Sequence, residues 1–184
     1  MNTRFPYKEA DAAEHQLLLA RGMKPSELSK ELREGQSPFL QARRTLVALS
    51  FLGVAIGKIV SLYQIGIIKH LPDPPLDVFD SDKVDASDYA YKRFATPDAF
   101  LMVLTYGTTA WLAGAGREDR AEKTPLWVQL MFGKIALDIG TNLMLAREEW
   151  AENKKLCFYC QSATVLSILS LIVAWPEFKK SIRK

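Results

Sequence analysis

Cys157 and Cys160 are the only two cysteines in the chain, and they open an apolar run that continues to Trp175. Thiols three positions apart at the start of a helix face the same way, about one turn apart, so they can close a disulfide or exchange one. Four kinds of chemistry compete for such a pair. A structural zinc site needs four ligands, and beyond the two cysteines the chain offers only His15 and His70, so no metal is expected. Covalent haem attachment requires histidine directly after the second cysteine, where Gln161 stands. Inert packing stays open, because thiols are among the most buried side chains. Redox exchange leads, since the positive end of a helix favours the reactive thiolate.

A redox pair needs somewhere to send its electrons. At the rim of a membrane helix bundle it stands beside the lipid phase in which quinones diffuse, and bundle cores are ordinary cofactor sites. The mechanism class that follows is thiolate attack on a disulfide on one side and electron transfer to a quinone on the other.

The elements that must position the pair are long apolar stretches. The overall hydrophobic content of 48% conceals a segregated pattern, in which polar stretches at 1–42 and 69–98 alternate with almost wholly apolar ones. Four spans are predicted, at about 46–68, 99–116, 126–145 and 156–175, each near the roughly 20 residues that a bilayer core demands. The fold class expected is all-α, an integral membrane four-helix bundle with a polar helical N-terminal extension. In that extension Tyr7–Arg21 and Ser26–Glu34 read as short helices stopped by Gly22 and Gly35. The N-terminus is charged up to Arg44 and shows no signal-peptide pattern, so the first apolar run is expected to serve as an uncleaved anchor.

Details within the spans carry further expectations. Gly53 and Gly57 stand at the spacing that lets a neighbouring helix approach closely. Lys58 lies inside the first span and must face the bundle interior or snorkel. Thr96 is placed to cap the second span, with Pro97 at its first helical position. On the third, Lys134, Asp138 and Asn142 share one face, as an intrahelical ion pair or as a polar wall that lines a cavity or meets a partner.

Orientation follows from the basic ends. Arg43 and Arg44 precede the first span, and Lys179, Lys180, Arg183 and Lys184 follow the last. Both termini, and with them the extension 1–42, are expected on the cytoplasmic side. Cys157 and Cys160 then face an oxidising compartment. The net charge of +3 and the lack of an aromatic-interleaved basic stripe argue against nucleic acid as a partner.

Local motifs point further. Ser61-Leu62-Tyr63-Gln64 closes the first span, Val84-Asp85-Ala86-Ser87-Asp88-Tyr89-Ala90 lies in the loop, Pro97-Asp98-Ala99 opens the second span, and Cys157-Phe158-Tyr159-Cys160 opens the fourth. Their order and topology over about 43–175 resemble the vitamin K epoxide reductase family, particularly its bacterial branch. The resemblance implies a thiol:quinone oxidoreductase of a bacterial inner membrane that uses a menaquinone or ubiquinone type of cofactor. Cys160 would be the thiol next to the quinone and Cys157 the one that exchanges with an incoming disulfide or thiol. Ser87 corresponds to the family's loop serine or threonine near the active site; as a bare residue it reads equally well as a turn or cap.

The family normally carries a second cysteine pair in the outer loop. Here Ser81 stands where one of those cysteines is expected, and the loop has none. Two functions remain. One is an enzyme that exchanges electrons with a separate thioredoxin-like periplasmic protein; the other is a non-catalytic accessory subunit of a larger membrane complex that retains the fold.

Overall fold

The computed structural model describes residues 24–92 and 95–183. The helix expected over Tyr7–Arg21, with His15, and the basic residues Arg93 and Lys184 lie outside them. The elements run α1 (Pro25–Glu34), α2 (Pro38–Gln64), α3 (Ser81–Asp85), a 3-10 turn at Asp88–Tyr91, α4 (Asp98–Gly114), α5 (Arg120–Lys123), α6 (Pro125–Asn153) and α7 (Phe158–Ser181). No strand occurs among the described residues. A single parallel bridge joins Phe79 to Leu156 and ties the α2–α4 connection to the approach to α7.

The long helices α2, α4, α6 and α7 pack in a ring, with α2 and α6 each touching both α4 and α7. Two of them, α2 and α7, are long and apolar enough to cross a membrane on their own. Helix α4 has 17 residues, just short of the roughly 20 that a span needs. The interior is stitched by small and polar side chains. Ser50, Thr109, Ser167 and Ser170 are buried, whereas Leu104, Trp111, Leu137 and Ile172 on the outer faces are more than 60% exposed. An apolar exterior over a partly polar interior is what a helix set surrounded by lipid presents.

Gly53 and Gly57 behave as their spacing predicts. A Cβ at Gly53 would fall 2.5 Å from the Tyr106 ring, and one at Gly57 would fall 3.1 Å from Val103, so the pair sets the close approach of α2 to α4. The Tyr106 hydroxyl then donates to the Ala163 carbonyl (2.5 Å) and meets Ser167 Oγ (2.9 Å), which links α4 to α7. Lys58 is on the exposed face, so of its two expected placements it takes the outward one.

Several boundaries move. The first long helix starts at Pro38, where Ser37 Oγ accepts from Leu40 N (3.3 Å), and it stops at Gln64 before a turn through Gly66 at φ 79°. Position 42, the expected end of the extension, therefore lies within α2. The second helix begins at Asp98, with Pro97 rather than Thr96 in the capping position. Helix α7 runs past Pro176 to Ser181 although proline removes one backbone donor. Tertiary contacts hold that last turn: Phe178 stacks on Phe132 at 3.9 Å, and Glu177 accepts from Arg120 Nε and Nη2, both at 2.9 Å.

That ion pair anchors the end of the ring opposite the cysteines. Arg43, expected only as a basic flank of the first span, is buried and donates to the carbonyls of Ala115 (3.2 Å), Gly116 (2.9 Å) and Arg117 (2.7 Å). Arg44 caps the C-terminus of α1 by donating to the Leu32 and Gly35 carbonyls, both at 2.8 Å. Glu31 of α1 accepts from Glu118 N at 2.7 Å, so α1 is tied to the turn after α4.

Candidate functional site

Cys157 occupies the capping position of α7, where its Sγ accepts from Cys160 N at 3.2 Å. Both thiols are free; Cys157 is fully buried and Cys160 partly so. The neighbouring helix α3 covers Cys157 with Val84. The same helix carries Asp85, whose carboxylate oxygen and the two sulfurs all lie within 4.8 Å of one another. Asp85 is 1% exposed, and among the described residues its Oδ2 meets no N–H or O–H donor, only the weak Cys157 thiol. Burial pushes its carboxyl up to about 8.

A second carboxylate comes from beyond the apolar part of α6. Glu149, also buried, accepts at Oε2 from Cys157 N and from Gln161 Nε2, each at 3.3 Å. Burial pushes it up to about 7. Two carboxyls therefore stand beside the helix end at which only the dipole was expected to act, and their ionised forms oppose that field at the sulfurs.

Ser81 stands at the centre of the contact between loop and thiols. It is fully buried, donates from N (2.7 Å) and Oγ (2.6 Å) to the Asp73 carboxylate, and accepts at Oγ from Phe158 N (2.9 Å). The residue in the place of an expected loop cysteine thus touches the backbone next to Cys157, and its hydrogen bonds fasten α3 over the pair. Ser87 donates from Oγ to the Val84 carbonyl at 2.6 Å, which is the bonding of a turn residue.

On its other side Cys160 lines a cavity of about 250 Å³ between α4, α6 and α7. Polar groups on the wall include Asp98, Tyr106, Asp138, Asn142, Glu149 and Thr164, and apolar ones include Leu101, Met102, Leu137 and Leu145. Leu137 is 70% exposed on the outer apolar face, so the cavity reaches that face. A flat aromatic head with two carbonyl oxygens and an apolar tail suits such a wall, which offers hydrogen-bonding groups and a greasy edge. Both readings of the polar stripe on α6 hold at once. Lys134 pairs with Asp138 Oδ2 (2.5 Å) and donates to Thr105 O (2.5 Å), while Asp138 and Asn142 face the cavity.

The separate sequence motifs meet here. Gln64 Nε2 donates to Asp98 Oδ1 (2.8 Å), Gln64 Oε1 accepts from Ala99 N (3.3 Å), and the Tyr63 hydroxyl donates to the Asp82 carbonyl (3.0 Å). Asp85 and Glu149 were not expected as members of the site. Asp85 was visible only as one acid among many in the loop, and Glu149 had no sequence signal, since its place depends on how far α6 runs past its apolar part.

No curated protein and no solved structure matches the chain. Comparison with protein-family models matches residues 44–175 to the vitamin K epoxide reductase family. That stretch takes in α4 and α6, most of α2 and α7, the loop with Ser81 and the Cys-x-x-Cys, and the chain belongs to the vitamin K epoxide reductase family.

Proposed function

We propose that the chain is a four-span membrane thiol:quinone oxidoreductase in which Cys157 and Cys160 are the redox pair. The observation that carries this reading is that Cys160 opens onto a cavity reaching the outer apolar face of the helix ring. A menaquinone or ubiquinone supplies an acceptor for two electrons and two protons. The Asn142 amide would donate to one of its oxygens, and Leu101, Met102 and Leu145 would exclude water from its ring. The two thiols give up two electrons and two protons as their disulfide forms. Glu149, next to the backbone of Cys157 and on the cavity wall, is placed to accept a proton. Ser87 supports the C-terminal end of α3 above the pair. The reading places both termini on the cytoplasmic side of a bacterial inner membrane and the thiols on the periplasmic side, with α4 and α6 completing the span inside the helix ring.

The test is purified full-length protein in detergent, supplied with a small dithiol and a water-soluble quinone. Dithiol-dependent quinone reduction is expected, and Cys160→Ser should abolish it. Equal rates in wild type and variant would overturn the reading.

A second reading keeps the fold and drops the turnover: an accessory subunit of a larger membrane complex. What favours it is the cover over Cys157, where Ser81 and Val84 of α3 stand between the sulfur and any soluble thioredoxin-like protein. An open apolar groove of about 530 Å³ between α2 and α7, lined by Leu52, Ile56, Phe158 and Leu166, would suit a partner helix. Co-purification with other membrane subunits at fixed ratio, together with no quinone reduction, would select it.

A further inference from the structure

We propose that the reduced pair Cys157 and Cys160, together with Asp85, forms a binding site for one thiophilic divalent cation of the zinc class. This goes beyond the redox reading and does not depend on it.

Three donor atoms of the types that zinc takes, two thiol sulfurs and one carboxylate oxygen, already lie within 4.8 Å of one another. A tetrahedral zinc ion with bonds of about 2.3 Å to sulfur holds its sulfurs roughly 3.8 Å apart, so the sulfurs need to close up by at most about an ångström. They come from two elements distant in sequence, α3 and the start of α7, which Ser81 and the Phe79–Leu156 bridge hold together. The Cys-x-x-Cys geometry suits this use: Cys157 Sγ accepts from Cys160 N, a bond that stabilises a thiolate.

The second observation is the state of Asp85. Its Oδ2 is buried beside both sulfurs and meets no N–H or O–H donor among the described residues, only the weak S–H of Cys157, which leaves much of the cost of burying an acceptor uncompensated. No lysine or arginine nitrogen contacts Asp85, Glu149 or either sulfur among the described residues. Four acidic groups thus share a dry corner without a cationic side chain. A cation of charge +2 would offset most of the −3 carried by two thiolates and a carboxylate. The fourth position would open toward the cavity that Cys160 lines, which also provides the entry path. Binding displaces one proton from each thiol and one from Asp85 where it is protonated, so affinity rises with pH. Counting only cysteine and histidine in the sequence misses this site, because its third ligand is a loop carboxylate.

Zinc titration of the reduced full-length protein in detergent, in competition with a chromophoric chelator, tests the proposal. One zinc per chain is expected, lost on oxidation to the disulfide and weakened at least about tenfold by Asp85→Asn. Cobalt(II) bound to the wild type should show thiolate-to-metal absorption and a tetrahedral spectrum, a readout that does not require the variant to fold. Failure of the reduced wild type to retain zinc would overturn the proposal. So would an octahedral cobalt spectrum, or zinc binding by folded Asp85→Asn as tight as by wild type. Quinone reduction, assayed on metal-free protein, reports separately on the redox reading.

Discussion

The two ends of the helix ring bury ionisable groups in opposite ways. At the end holding Arg43, Arg120 and Glu177, buried groups of opposite charge face each other. Arg120 forks onto both oxygens of Glu177 and donates to the Leu112 and Ala115 carbonyls, while Arg43 satisfies the carbonyls that close α4. At the other end Asp85 and Glu149 are equally buried, yet their neighbours are two thiols, backbone groups and an amide. Removing charges from water is repaid at the first end by opposite charge and at the second only by holding the acids neutral. The first arrangement closes a structure. The second leaves groups that can gain or lose protons and metal, which is where chemistry is to be sought.

The comparison can be broken most directly at the thiols. Cys160→Ser should reduce dithiol-dependent quinone reduction to background while leaving the thermal midpoint in detergent nearly unchanged; a large loss of stability would mean that the thiol end is structural too. Arg120→Met should do the reverse. It leaves Glu177 in the interior with only the longer contact to Arg43 Nε (3.7 Å) and is expected to cost about 3 kcal/mol in denaturant unfolding, and adding Glu177→Leu should recover part of that loss.

The pH dependence sharpens the contrast. The folded-state pKa of Asp85 is raised from 3.8 to about 8, so its contribution is fully present below pH 4 and is lost as pH rises toward 8. Stability should fall across that window by up to about 1.4 kcal/mol per pH unit, and Asp85→Asn should flatten the slope and be the more stable form at pH 8. A slope unchanged by the substitution would remove Asp85 as its source. The smallest effect lies between the two ends, where Gly53→Ala drives a methyl into the Tyr106 ring. A cost of about 1–3 kcal/mol is expected, with quinone reduction lowered only in part, since Tyr106 also lines the cavity beside Cys160.

Much of this organisation was legible in the residues. Apolar segregation located the long helices, the Gly53 and Gly57 spacing announced the α2–α4 contact, and Ser81 was picked out as the substitute for a loop cysteine and is found against Phe158. The helix ends were less legible. The fourth span was expected to end near 175, and it runs on to Ser181 because the pairing of Arg120 with Glu177 and the stacking of Phe132 on Phe178 join residues more than 40 positions apart. Arg43 was read only as a basic flank of the first span, and its carbonyl partners, which follow α4, were not legible for the same reason.

The sequence by itself determined the helical class, the long apolar helices, the family and the identity of the thiol pair, because these depend on composition, period and local spacing. Only the tertiary structure decided which carboxylates stand beside the sulfurs, that Cys157 is covered and that Cys160 meets a cavity. Those features depend on how α3, α6 and the start of α7 converge, and burial of a charge is a property of all the surrounding elements rather than of any one segment.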